Sequence, residues 1–186
     1  MKNLKLFILL ALLFPALSFA QNDDMQKWKE YMTPGKEHEQ LAKMNGDWNF
    51  TSKMWMDPNG EPSTTEGTAF CKMILDGRYS QMEVKGNFMG MPFNGISLIA
   101  YDNGKKIYIS TWIDNMGTGI MYGEGKYDDA SKSVIIKGKM YDPMSGKDTD
   151  YKETMKWTDE NTMSMESFSL MDGKEIKTME IIYTRK

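Results

Sequence analysis

The sequence predicts an all-β fold, an antiparallel up-and-down β-barrel of about ten strands preceded by two short N-terminal helices. Three observations predict it. From Gly46 onward, clusters of Asp, Asn, Gly and Pro recur at short, even spacing and divide the chain into strand-length segments. Within those segments apolar and polar residues alternate with period two, which gives a strand one dry and one wet face. A meander of that many strands would carry two bare edges if left open, and closure removes them.

The chain begins with Lys2 and Lys5, an apolar run from Leu6 to Leu17, and then Ser18-Phe19-Ala20. Basic region, short hydrophobic stretch and small-x-small site form the layout of an export signal, so residues 1–20 are expected to be removed after Ala20. The run is shorter than the roughly 20 residues that span a bilayer. A single domain, 21–186, then remains, with a helical segment over 22–44 and the barrel over 46–186. Asp23 or Asp24 caps the first helix, and Met25, Trp28 and Met32 share its apolar face. Thr33-Pro34-Gly35 breaks it; Thr33 is expected to cap the second helix, with Pro34 at its first position.

Turns are expected at Asp57-Pro58-Asn59-Gly60, Asp76-Gly77, Asn87 to Met91, Asp102-Asn103-Gly104 and Asp114 to Gly117. Others follow at Asp128-Asp129-Ala130, Asp142 to Gly146, Thr158 to Asn161 and Asp172-Gly173, where Gly, Asn and Asp suit turn geometry. Trp48, Phe50, Ser52, Met54 and Met56 form one face of the first strand. Tyr151, Glu153, Met155 and Trp157 oppose Lys152, Thr154 and Lys156 in the same way, and Val134, Ile136, Gly138 and Met140 oppose Ser133, Lys137 and Lys139. The segment 162–171 loses phase between Met165 and Phe168, which reads as a bulge.

Composition narrows the function classes. The formal charge is −3, and no basic cluster offers itself to phosphates or anionic lipid, so nucleic acid is not an expected partner and no membrane span remains after cleavage of the signal. Cys71 is the only cysteine, which excludes an intramolecular disulfide, and its apolar setting reads as a small buried hydrophobe.

Gly46-Asp47-Trp48 at the start of the first strand resembles the Gly-x-Trp step of lipocalins and the wider calycins. In those proteins an Arg near the end of the last strand lies across the Trp, and Arg185 is the matching residue. Trp48 and Arg185 are therefore expected to close a calycin-like barrel. Longer blocks resemble a bacterial family known as domain of unknown function 1579. They include Met73-Ile74-Leu75-Asp76-Gly77-Arg78-Tyr79, Ser110-Thr111-Trp112-Ile113-Asp114-Asn115-Met116-Gly117 and the ending from Lys177 to Lys186. The resemblance implies the barrel and brings no catalytic residue with it. Calycin-like barrels that hold haem use a histidine late in the chain, and none stands there.

Methionine is over-represented, at 19 residues. Thioethers suit Cu(I), yet His38 and Cys71 are the lone representatives of their types, so the methionines read as gap-filling side chains and no metal site is assigned. His38, among Lys36, Glu37 and Glu39, reads as a solvated helix surface. No catalytic constellation and no cofactor fingerprint is present. The candidate ligand-binding residues are Tyr151, Glu153, Trp157 and Trp112: a carboxylate on a dry face must find a partner, water or a ligand, and the aromatics supply an apolar surround.

The function expected is an exported, periplasmic or extracellular barrel that binds a small, largely apolar molecule rather than an enzyme. The alternatives are an isomerase-like enzyme on the same barrel, or an envelope interaction protein with a packed interior. The size and polarity of the interior discriminate among them.

Overall fold

A computed structural model describes residues 23–171 and 173–186; the expected signal segment, Gln21, Asn22 and Asp172 of the final turn lie outside the described residues. The chain divides into two compact units, 1–33 and 34–186. In the first, residues 23–32 form helix α1, on which Trp28 and Tyr31 meet edge to face at 6.0 Å.

The second unit contains helix α2 (Lys36–Ala42) and ten strands: β1 (Gly46–Met54), β2 (Ser63–Ile74), β3 (Tyr79–Phe88), β4 (Met91–Asp102), β5 (Ile107–Asp114), β6 (Met121–Asp128), β7 (Ser133–Asp142), β8 (Lys147–Asp159), β9 (Thr162–Met171) and β10 (Lys174–Arg185). They close as an antiparallel barrel in which each strand pairs with its sequence neighbours and β1 pairs with β10. The expected turns that lie wholly among the described residues separate strands.

Thr33 does not cap α2. Its hydroxyl donates to the Lys29 carbonyl at 2.6 Å, and Gly35 is the N-cap residue of α2, so Pro34 lies before the helix. The Gly35 N–H instead donates to Nδ1 of His38 at 3.0 Å. That bond turns the imidazole inward. His38 is buried, edge-on to Tyr101 with ring centroids 5.9 Å apart, which corrects the expectation of a solvated histidine. With Leu41 it anchors α2 against β2, β3 and β4 at one end of the barrel.

The seam brings Trp48 level with Arg185. The guanidinium lies 4.2 Å from the indole and donates to the Lys43 and Asn45 carbonyls at 2.7 Å each. The indole N–H donates to the Met44 carbonyl at 2.8 Å. One arginine thus satisfies the chain between α2 and β1 and covers a fully buried tryptophan.

The irregularity expected in 162–171 lies on the opposite strand. Register shifts between Lys177 and Met179 in β10, so Ile176, Met179, Ile181 and Tyr183 all face inward although the first two are three residues apart. β9 stays in phase, with Met163, Met165, Ser167 and Ser169 inward. Phe168 mimics a break because it is an apolar residue on the outer face, where the Lys152 ammonium lies 4.4 Å from its ring.

Arg185→Ala should lower unfolding stability by about 2 kcal/mol, since it removes a cation over a buried ring together with two charge-assisted hydrogen bonds. Arg185→Lys should recover only part of that, because an ammonium cannot reach both carbonyls in one fork. Urea denaturation checks both; a wild-type midpoint in Arg185→Ala would remove the seam from the account of stability.

Candidate functional site

Ten strands enclose more space than these side chains fill. The interior is a cavity of about 1520 Å³, larger than most small-molecule sites. Its size is written into the inward positions of the strands, many of which hold glycine or serine. Phe50 lies across Gly67, its partner on β2, where an added Cβ would stand 2.5 Å from the ring. Tyr151 lies across Gly138 in the same manner, and an added Cβ there would also meet the Tyr122 carbonyl at 2.1 Å. Large rings lie flat on bare backbone, and the centre stays open.

Two buried clusters complete the wall. One surrounds Trp48, Phe50, Cys71, Val84 and Tyr183; the other surrounds Leu41, Tyr108 and Ile136 under α2. Cys71 Sγ lies 3.2 Å from Ser80 Oγ, and burial raises the pKa of the thiol. It is the small buried residue its strand suggests.

The candidate residues occupy two levels. Tyr151, Glu153 and Trp157 follow one another along the inner face of β8. Along the ladders Glu153 is level with Ile136, Gly125 and Tyr108. Trp112 is on β5, level with Met121 and nearer the other end. Its indole donates to Asp114 at 2.7 Å and stacks on Phe93 at 6.1 Å. Trp157 instead lies beside Trp48, with centroids 5.9 Å apart. The four residues are thus one wall and one ring near the mouth rather than a single cluster.

Glu153 is the polar centre of the interior. Ser167, opposite it on β9, donates to Oε1 at 3.3 Å, and no other hydrogen bond reaches the carboxyl among the described residues. Burial holds its pKa above the ordinary value of 4.5, with the Ser167 bond opposing. Tyr151 and Tyr183 are raised as well, chiefly by burial and then by Glu153, and Tyr108 is pushed up to about 12, again first by burial. Sequence reasoning missed Ser167 and Tyr183. The misplaced bulge hid the inward phase of Ser167, and only the seam brings β10 into the same chamber.

The ends of the barrel differ. Loops at the end away from α2 carry exposed Met56, Met89, Ile120, Met144 and Met171. Turns at the α2 end carry Asp76, Lys105, Asp129, Lys132 and Glu160. Most methionines therefore line the cavity or its mouth, and only Met44, Met82 and Met163 are buried core residues. The expected gap-filling role holds for those three and for Met73, Met155, Met165 and Met179, which pack partly buried against the two clusters. Among the described residues no group of His, Cys, Asp or Glu could hold a metal ion, and no helix is long and apolar enough to cross a membrane.

A family described as "Protein of unknown function (DUF1579)" matches residues 33–185. Among curated proteins none matches the sequence. The crystal structure of Rv2717c from M. tuberculosis is similar with a TM-score of 0.60 and 11% identity, covering 83% of this chain and 99% of that one. A redesigned β-barrel gives a TM-score of 0.42 at 10% identity, covering 78% of this chain and 94% of that one. The first likeness is one of fold.

A carboxyl held above its ordinary value keeps its proton in the folded chain over a pH range where the unfolded chain has lost it. Its contribution to stability is therefore complete below 4.5 and declines as pH rises toward the folded value. Glu153→Gln should flatten that decline and make the protein at least as stable as wild type at neutral pH. Thermal melts from about pH 4 to about pH 8 read this directly; a decline as steep in the variant would show that Glu153 is not its source.

Proposed function

Since the chain belongs to the DUF1579 family, whose function is unknown, we propose that its barrel binds a small, largely apolar molecule inside the cavity, outside the cytoplasm. The open interior of about 1520 Å³ carries the reading. An interior that side chains do not fill forgoes dispersion contacts that a packed core would make, and an apolar ligand can supply them. Phe50, Met155, Met165, Met179 and Trp112 offer the apolar contact, and Glu153 with Ser167 offers a polar anchor at mid-height. An envelope protein acting through its outer surface has no use for such a void.

Export follows from Lys2 and Lys5, the apolar run and Ser18-Phe19-Ala20. Mass spectrometry of the protein secreted by its host should find Gln21 at the N-terminus. Recovery of the chain still carrying residues 1–20 in the membrane fraction would defeat this part of the proposal.

An apolar fluorophore titrated into the protein should saturate at one equivalent and quench tryptophan emission, with Trp112 and Trp157 on the inner wall. Ser97→Phe places a ring in the cavity without touching Glu153 and should weaken probe binding at least tenfold while the strand circular dichroism persists. Unchanged affinity in that variant would locate the probe elsewhere and refute the interior site.

A further inference from the structure

Glu153 is an acid without a base. Its ladder neighbours are Ile136 and Ser167, and its charge is felt by the phenols of Tyr151 and Tyr183. Two lysines of the surrounding strands are engaged with glutamates of β9 and β10. Lys152 pairs with Glu175, and Lys177 bonds Glu166 at 2.6 Å and Glu180 at 2.5 Å. Arg185 faces the α2 end, with its guanidinium occupied by two backbone carbonyls. Among the described residues no positive charge pairs with this carboxyl, although burying a carboxyl in apolar surroundings ordinarily calls for one.

We propose that the ligand is an amphiphile with a basic amine at its polar end, and that its ammonium takes the place of the cation Glu153 lacks. This rests on the binding reading above and names the class of molecule it takes. An ammonium has three donors to place and no acceptor. The surroundings match that need: a carboxylate, the Ser167 hydroxyl and two phenol oxygens are acceptors. The apolar chain then runs along Met179 and Met54 toward Trp112 and the methionine-tipped mouth. An alcohol finds the same hydrogen bonds and brings no charge. A fatty acid brings a second acid beside the first, and of two carboxyls sharing a site one must keep its proton.

Proton balance makes the inference measurable. Burial favours the neutral carboxyl, so whatever fraction of Glu153 carries a proton before binding gives that proton to solvent when R–NH3+ and the carboxyl become an ammonium–carboxylate pair. Dodecylamine, dodecanol and dodecanoic acid, each below its aggregation limit, are used to displace the fluorophore at neutral pH. Dodecylamine is expected to act at concentrations at least tenfold lower than dodecanol, with the acid weakest. Calorimetry in buffers of different ionisation heat should show up to one proton released with the amine and none with the alcohol. In Glu153→Gln the fluorophore should still bind and the amine preference should vanish. Should that variant fail to fold, the preference of the wild type for amine over alcohol still decides. Equal displacement by amine and alcohol, or an amine preference that persists in Glu153→Gln, overturns the amine and leaves the binding site standing. Failure of the fluorophore and all three amphiphiles to bind overturns the binding site itself.

Discussion

The pairing of the first strand with the last is the constraint on which everything inside this protein depends. All other strand pairs are sequence neighbours, joined by short turns, and their pairing defines a ribbon. A ribbon has two faces and no interior. The β1–β10 ladder, from Trp48↔Arg185 to Met54↔Met179, turns one face into a chamber. Its loop-closure entropy is the largest in the fold, although that cost grows only with the logarithm of the loop. Arg185 helps to offset it by bridging residues at opposite ends of the domain, from the last strand to the Lys43 and Asn45 carbonyls.

Closure also sets the energetic character of the molecule. In a packed domain the centre contributes most to stability; here the centre is space, and stability resides in the wall. Rings laid on glycine backbone bury apolar area without intruding, as Phe50 does on Gly67 and Tyr151 on Gly138. Each such pair trades the conformational cost of a strand glycine for close ring-to-backbone contact. Serines at inward positions do similar work with a hydroxyl attached, and that is how Glu153 obtains its partner.

Much of this architecture is legible in the sequence, because turns and alternation are local. Asp102-Asn103-Gly104 is read as a turn without reference to any other residue, and Tyr151 to Trp157 take their faces from their own period. What is not legible is long-range or ambiguous in type. Phe168 breaks the pattern of β9 only until Lys152 is known to cover it from outside. The true irregularity, between Ile176 and Met179, shows in sequence as apolar residues three apart, a spacing that a helix also produces. His38 looks solvated among charged neighbours until the Gly35 N–H and the Tyr101 ring are placed around it. For the interior, the inward direction of Glu153 follows from strand phase, whereas the absence of any cation facing it needs the register of every neighbouring strand. Methionine abundance is plain from composition, but whether thioethers fill space or border it depends on the diameter of a closed barrel.

That border has a chemical consequence. Oxidation turns a thioether into a polar, chiral sulfoxide, reversible only by dedicated reductases. Met56, Met89 and Met144 stand exposed at the mouth, whereas Met44, Met82 and Met163 are sealed in the wall. An oxidant in solution therefore meets the entrance before the core. Chemical ageing of this protein should first make its doorway hydrophilic, altering what passes through while the barrel around it remains folded.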